Sequence, residues 1–293
     1  MCTTFHKPSR PLTWLITGCS SGLGLELTRA IQHEGHVVIA TSRQPARTPE
    51  LVAEVEGHGG QWHALDVEDP TAAATLIDSL ESSGTQIDVL INNAGSIIFG
   101  AVEQLSDKEL RRQMEVLYFG PSRLIHAVLP RMRQRRLGII VNISSGAALD
   151  GRDSMGGYAA GKGALDASSR VLAKEVTPFN VRLLTVWLGT FRTNFGNASQ
   201  FSEGPLPDDY RGSVAENMMD AIKSGKFVGD GDTEKAAKAI LEVVLGQGAG
   251  TSLEAERFLP LGRDMLTRVG LVRDQCGHAL EVFGDICGNV YAE

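Results

Sequence analysis

Residues 12–24 read LTWLITGCSSGLG, and the reading of this stretch decides the fold. Leu12 to Thr17 is a short, apolar, β-prone run, and it ends in a cluster of glycines at Gly18, Gly22 and Gly24. The next residues, GLGLELTRAIQHEG, set Leu23, Leu27, Ala30 and Ile31 on one face of a helix. In a strand–glycine–helix turn the backbone can approach a ligand closely, and free N–H groups at the helix start attract phosphate. The same turn also serves as a plain connection, and its spacing departs from Gly-x-Gly-x-x-Gly. By itself it fixes no function.

Outward from this turn the alternation continues. Further strands are expected at VVIAT (37–41), WHALDV (62–67), IDVLINN (87–93), GIIVNIS (138–144) and VRLLTVW (181–187). Helices are expected near 49–56, 70–83, 106–135 and 155–176. The strands are apolar throughout rather than alternating, so both sheet faces must be covered, as parallel sheets require. Right-handed crossovers then give an α/β, doubly wound, Rossmann-like sheet with helices on both faces. No linker or repeat divides the chain, so one domain is expected over 1–293. It carries a variable loop region at about 190–230 and a C-terminal extension at about 255–293.

Composition narrows the function classes. The 293 residues carry 28 Lys and Arg against 35 Asp and Glu, a net charge of −7. With no basic run, nothing draws the chain to nucleic acid or an anionic membrane. At 42% hydrophobic and 22% charged, the chain has a core and is not disordered. The four cysteines, Cys2, Cys19, Cys276 and Cys287, form no Cys-x-x-Cys pair and no zinc spacing, so no metal site is expected. The N-terminus has no apolar leader and no run reaches a membrane span, so a cytoplasmic protein is expected.

Five segments in register resemble the short-chain dehydrogenase/reductase family. They are Thr17-Gly18-x-x-x-Gly22-x-Gly24, Asp66-Val67, Asn92-Asn93-Ala94-Gly95, Asn142-Ile143-Ser144-Ser145 and Tyr158-x-x-x-Lys162, within residues 12–195. The tail RFLPLGRDM (257–265) looks like the ending of hydroxysteroid- and retinol-dehydrogenase-like members. The resemblance implies a catalytic set of Ser145, Tyr158 and Lys162. It implies a dinucleotide site at Gly18, Ser20, Ser21, Gly22, Leu23, Gly24, Asp66, Val67, Asn93, Ala94, Gly95, Tyr158, Lys162 and Thr193. A homodimer or homotetramer through the helices at 107–135 and 155–176 is also implied.

Chemistry supports the pair at 158 and 162 independently. Four residues apart on a helix, the two side chains reach one ligand. A neighbouring ammonium is expected to lower the tyrosine pKa from about 10 and make the hydroxyl a usable proton donor. Ser144 and Ser145 point to opposite faces if the strand runs through both; family spacing favours Ser145.

Cofactor choice rests on the end of the second strand, Ala40-Thr41-Ser42-Arg43, where no acid stands to bind the ribose hydroxyls. Arg43, with Ser42 beside it, suits a 2′-phosphate, so NADP(H) is expected. Two positions depart from the family pattern: Leu117 stands where an asparagine is usual, and Leu188 where a proline precedes Gly189. The aromatic and methionine residues of 196–230 read either as a substrate lid or as ordinary packing. The expected function is NADPH-dependent reduction of a ketone on a small apolar substrate, reversible as alcohol oxidation. The alternatives are an NADP(H)-binding protein with weak or no turnover, or another carbonyl-directed biosynthetic step such as dehydration.

Overall fold

The alternating runs assemble into a seven-stranded parallel sheet, beside a small two-stranded one, in the computed structural model, which describes residues 8–192, 200–226 and 229–290. The first half comprises β1 (Thr13–Thr17), α1 (Gly22–His33), β2 (Val37–Ser42), α2 (Pro49–Gly57), β3 (Gln61–Ala64), α3 (Ala72–Ser82), β4 (Val89–Asn92) and β5 (Ile98–Phe99). The second half adds α4 (Asp107–Met114), α5 (Gly120–Arg135), β6 (Gly138–Ser145), α6 (Ala147–Asp150), α7 (Gly156–Val176) and β7 (Val181–Leu188). Beyond it lie β8 (Gln200–Phe201), α8 (Val214–Lys223), α9 (Thr233–Leu245), β9 (Phe258–Leu261) and α10 (Arg263–Gly288).

The sheet order is β3-β2-β1-β4-β6-β7-β9. Trp14, Ile16, Val38, Ile91 and Val141 pack against α1 and α9, while Leu15, Ile39, Leu90 and Ile140 pack against α3, α5 and α7. Neighbouring residues of each strand thus feed opposite cores, which is why the runs are continuously apolar. Strand order reverses between β1 and β4, and that switch point opens a crevice at their C-terminal ends.

Three expectations need correction. β3 stops at Ala64, so Asp66 and Val67 lie in the turn beyond it. The helix expected over 106–135 is interrupted by a π-helical turn, Glu115–Phe119. Pro121 explains the break: it has no N–H to give, and its ring would crowd the carbonyl four residues back, on Leu117. The sheet also gains β9, paired with β7 from Thr185↔Phe258 to Leu188↔Leu261. Its sequence, FLPL, is short and contains a proline, which is tolerated on this edge position.

Candidate active site

The glycine turn after β1 occupies the switch point. Gly18 has φ +74° and lies so close to Ala94 that a side chain would clash. A Cβ on Gly24 would run into the Gly18 carbonyl and the Asn93 amide. The segment after β4 braces this turn from behind: Thr17 Oγ1 accepts from the N–H groups of Asn93 and Ala94, both at 3.0 Å, and Asn93 Nδ2 donates to the Thr17 carbonyl at 2.8 Å. The Asn93 side chain is therefore a strut of the turn. Leu23 is buried in the α1 core, while Ser20 and Ser21 are exposed at the mouth. Ser21 stands at the N-cap of α1 without a side-chain cap, and the first turn holds no acid. This leaves the positive helix end available to an anion.

Around this turn the expected contacts divide. Arg43 is exposed at the end of β2. Ser42 is buried, and its hydroxyl accepts from Trp62 Nε1 at 3.0 Å, so its side chain faces the sheet rather than the crevice. Asp66 is exposed, Val67 half-buried, and Gly95 exposed near Lys162. Thr193 lies outside the described residues.

The catalytic expectation centres on α7. Tyr158, Lys162 and Asp166 follow at i, i+4 and i+8 and are all buried. Two asparagines fix this helix to the sheet: Asn92 Nδ2 donates to Asn142 Oδ1 and Asn142 Nδ2 to Ser169 Oγ, each at 2.8 Å. β6 runs through both serines, burying Ser144 and leaving Ser145 partly open beside Tyr158, to which it hydrogen-bonds.

Burial dominates the electrostatics. It pushes the Tyr158 phenol up to about 12, against smaller lowering effects from the Ser145 hydrogen bond and the Arg268 charge. The expected lowering by Lys162 does not occur. Its Nζ donates to the Ile143 carbonyl at 2.6 Å and lies 6.0 Å from the Tyr158 ring centre. Burial lowers Lys162 to about 8, and the negative charge of Asp166 partly opposes that shift. Asp166 accepts from Trp187 Nε1 at 2.7 Å, and its own carboxyl is raised by burial. Leu117 fills the space beside this pair: it is fully buried, and a Cβ on Gly161 would come within 2.9 Å of it.

Tyr158 shares a small apolar cluster with Ile97, Phe99, Val116, Leu117, Ala147, Met155 and Met219, against which Phe201, Leu206 and Ile222 pack. The segment after β7 is thus both packing and wall. Glu109 anchors it to α4, accepting from Glu203 N at 3.0 Å and Ser202 Oγ at 3.2 Å. Phe201, Leu206 and Met219 of that wall also line a cavity of about 290 Å³, together with Gln104 and Lys223 among others. On the far side, Asp264 accepts from Thr190 N and Oγ1, and Arg268 grips Asp150 through two bonds of 2.6 and 2.7 Å. Asp166, Asp264 and Arg268 were not among the expected residues. Asp166 had a readable signal in its helical spacing from Lys162, and Asp264 lies within the tail RFLPLGRDM; Asp264 and Arg268 both arrive from α10.

Residues 13–203 match the family model for short chain dehydrogenases. The chain belongs to that family. This short-chain dehydrogenase/reductase is 39% identical over 196 residues to oxidoreductase claN of Passalora fulva, covering 67% of this chain and 87% of that one. It is 37% identical over 194 residues to a 3-ketodihydrosphingosine reductase of Bacteroides thetaiotaomicron, covering 66% and 69%. A short-chain dehydrogenase structure from Streptomyces avermitilis superposes with a TM-score of 0.86 at 32% identity, over 97% of this chain and 100% of the other. The protein is thus an oxidoreductase of a family acting on alcohols and carbonyls. Among its described residues no helix is long and apolar enough to cross a membrane.

Proposed function

We propose that this enzyme reduces a ketone on an apolar substrate with NADPH, and runs in reverse as an alcohol oxidation. The observation that carries the reading is the meeting of Ser145, Tyr158 and Lys162 at one wall of an apolar cluster, next to an uncapped helix end. The residues fit a dinucleotide. The α1 N-terminus and the Gly18–Gly24 backbone would hold the pyrophosphate, and Asp66, Val67, Ala94 and Gly95 would flank the adenosine side. Arg43 would neutralise a 2′-phosphate. The bound cofactor supplies the hydride. Ser145 holds the substrate oxygen and Tyr158 delivers a proton to it from its hydroxyl. A phenol near 12 keeps its proton at neutral pH, so in this direction it enters the reaction as an acid. Lys162 binds the ribose and adds positive charge beneath the tyrosine. A panel of apolar ketones with NADPH tests the reading: loss of nicotinamide absorbance is expected with at least one, and none across a broad panel would overturn it.

A second reading, dinucleotide binding with weak turnover, is favoured by the apolar Leu117 beside Lys162. Leu117→Asn separates the two. Because Leu117 is sealed against Gly161, an asparagine there would bury an unpaired amide at a cost of about 1–3 kcal/mol. A lower melting temperature with unchanged turnover is expected. Faster turnover with an altered solvent isotope effect would instead favour the second reading.

A further inference from the structure

α10 lies beyond the segment that carries the family match, residues 13–203, yet it brings two charged side chains to the end of the sheet where Ser145 stands. It follows β9 directly, and Asp264 and Arg268, four residues apart, share one face of its first turns. Two glycines make room for them, each the next residue after a strand: Gly146 after β6 and Gly189 after β7. Gly146 has a φ of −56°, which any residue adopts. A Cβ there would come within 2.6 Å of the Arg268 guanidinium carbon, so what packs on this position is what requires glycine. A Cβ on Gly189 would run into the Asp264 carboxylate in the same way.

The seat of Arg268 bears on both hydroxyls of the site. Its guanidinium lies against Gly146 and donates to Asp150, at the end of α6, through bonds of 2.6 and 2.7 Å. Between those two points the Ala147 N–H donates to Ser145 Oγ at 3.1 Å, which sets the rotation of that hydroxyl. The turn that Arg268 grips therefore orients Ser145. The charge has a direction as well. Arg268 is 11% exposed, whereas its partners Asp150 and Asp264 are 24% and 32% exposed. Water screens the carboxylates more than the guanidinium, and the positive charge reaches the Tyr158 phenol and favours its ionised form. The other charged groups at this end are Lys162 and Asp166, on the tyrosine's own helix, and Arg152, which donates to Thr190 Oγ1 at 3.1 Å. When Tyr158 gives its proton to the substrate oxygen, the O–H electron pair stays behind and leaves a phenolate, the form that a nearby cation stabilises.

We infer, on the reading of Tyr158 as proton donor, that Arg268 is a positioning residue of the reduction: it holds the Ser145–Asp150 turn and faces the phenolate that Tyr158 becomes. A fluorinated tyrosine placed at residue 158 of the full-length chain ionises at lower pH, and its absorbance titration tests this without any turnover. Arg268→Met is expected to move the midpoint to higher pH. Gly146→Ala, which displaces the guanidinium and leaves every charged residue in place, is expected to do the same. Arg268→Lys keeps the charge and is expected to leave the midpoint near wild type. An unmoved midpoint in the first two variants would overturn the inference. With a ketone that the enzyme reduces, Arg268→Met is expected to lower kcat by about 10²-fold, the cost of misplacing a reacting group. Ketone KM and NADPH affinity should stay near wild type, and lysine should recover part of the loss. Unchanged kcat, or a loss shared with KM and NADPH affinity and not rescued by lysine, would overturn it as well. If no ketone reacts, the reductase reading fails, and the titration still decides what Arg268 does to the phenol.

Discussion

The two walls of the crevice are built by different means. On the β1–β4 side the exposed groups are Ser20 and Ser21 on a turn shaped by glycine backbone, with Gly95 after β4 and Arg43 at the end of neighbouring β2. Over β6 and α7 they are side chains taken out of water: Tyr158, Lys162 and Asp166, all displaced by burial from their ordinary ionisation. The first wall is a surface with a helix dipole behind it, where one lost contact weakens a ligand by its own modest worth. The second is a low-dielectric site, where changing one group alters the charge state of its neighbours. Substitutions on the first wall should therefore act on binding, and those on the second on turnover and its pH dependence.

The sharpest way to break that contrast is Tyr158→Phe. The ring keeps its place in the apolar cluster while the hydroxyl is lost, so turnover is expected to fall by about 10²–10⁴-fold. NADPH affinity, measured by fluorescence titration, should stay near wild type. A variant with normal kcat would remove Tyr158 as the proton donor, and one that no longer binds NADPH would erase the division between the walls.

Arg43→Ala probes the other wall with a smaller effect. Its guanidinium is exposed, and a hydrogen bond to a charged group is worth roughly 1.5–3 kcal/mol, about ten- to hundredfold in affinity. NADPH binding should weaken by that factor while NADH binding and kcat change little. Equal weakening of both cofactors would mean that Arg43 does not read a 2′-phosphate.

The wall between β1 and β4 was almost fully legible in the sequence, because glycine spacing and strand runs are local signals. Ser42 is the exception there. Its hydrogen bond to Trp62 depends on which strand lies beside β2, and only the β2–β3 pairing reveals that. The wall over β6 and α7 was legible in which side chains its helix spacing brings together, but not in its energetics. Tyr158 and Lys162 share a helix face as their spacing requires, yet Lys162 spends its donor on Ile143, nineteen residues away in sequence. Long-range burial then reverses the expected shift of the tyrosine. Arg268 was hidden for a related reason: α10 follows an edge strand whose pattern is short and interrupted by Pro260, and the contacts that hold its start, to Thr190 and Asp150, come from distant segments.

The smallest expected effect separates the walls by pH alone. Lys162 holds its proton below about 8 and loses it above, whereas an ordinary lysine keeps it to 10.5. Between those values the unfolded chain binds more protons than the folded one, so this group makes stability rise with pH. Cys19, buried and raised from 9.0 to about 11, and Tyr158, raised from 10.0 to about 12, act in the opposite sense at higher pH. Between pH 8 and 9 Lys162 should add about 1 kcal/mol, of which Cys19, half ionised at 9.0 in the unfolded chain, offsets about a third, leaving about 1–2 °C in melting temperature for a chain of this size. Over the same window kcat should fall, because the ammonium beneath Tyr158 is being lost. Lys162→Met is expected to abolish the rise in stability. Asp166→Asn, which removes the charge favouring the ammonium, is expected to move the midpoint of the kcat profile to lower pH. A kcat midpoint indifferent to Asp166, with a flat melting temperature from pH 8 to 9, would mean that Lys162 ionises like a surface lysine and that the two walls do not differ in the way burial requires.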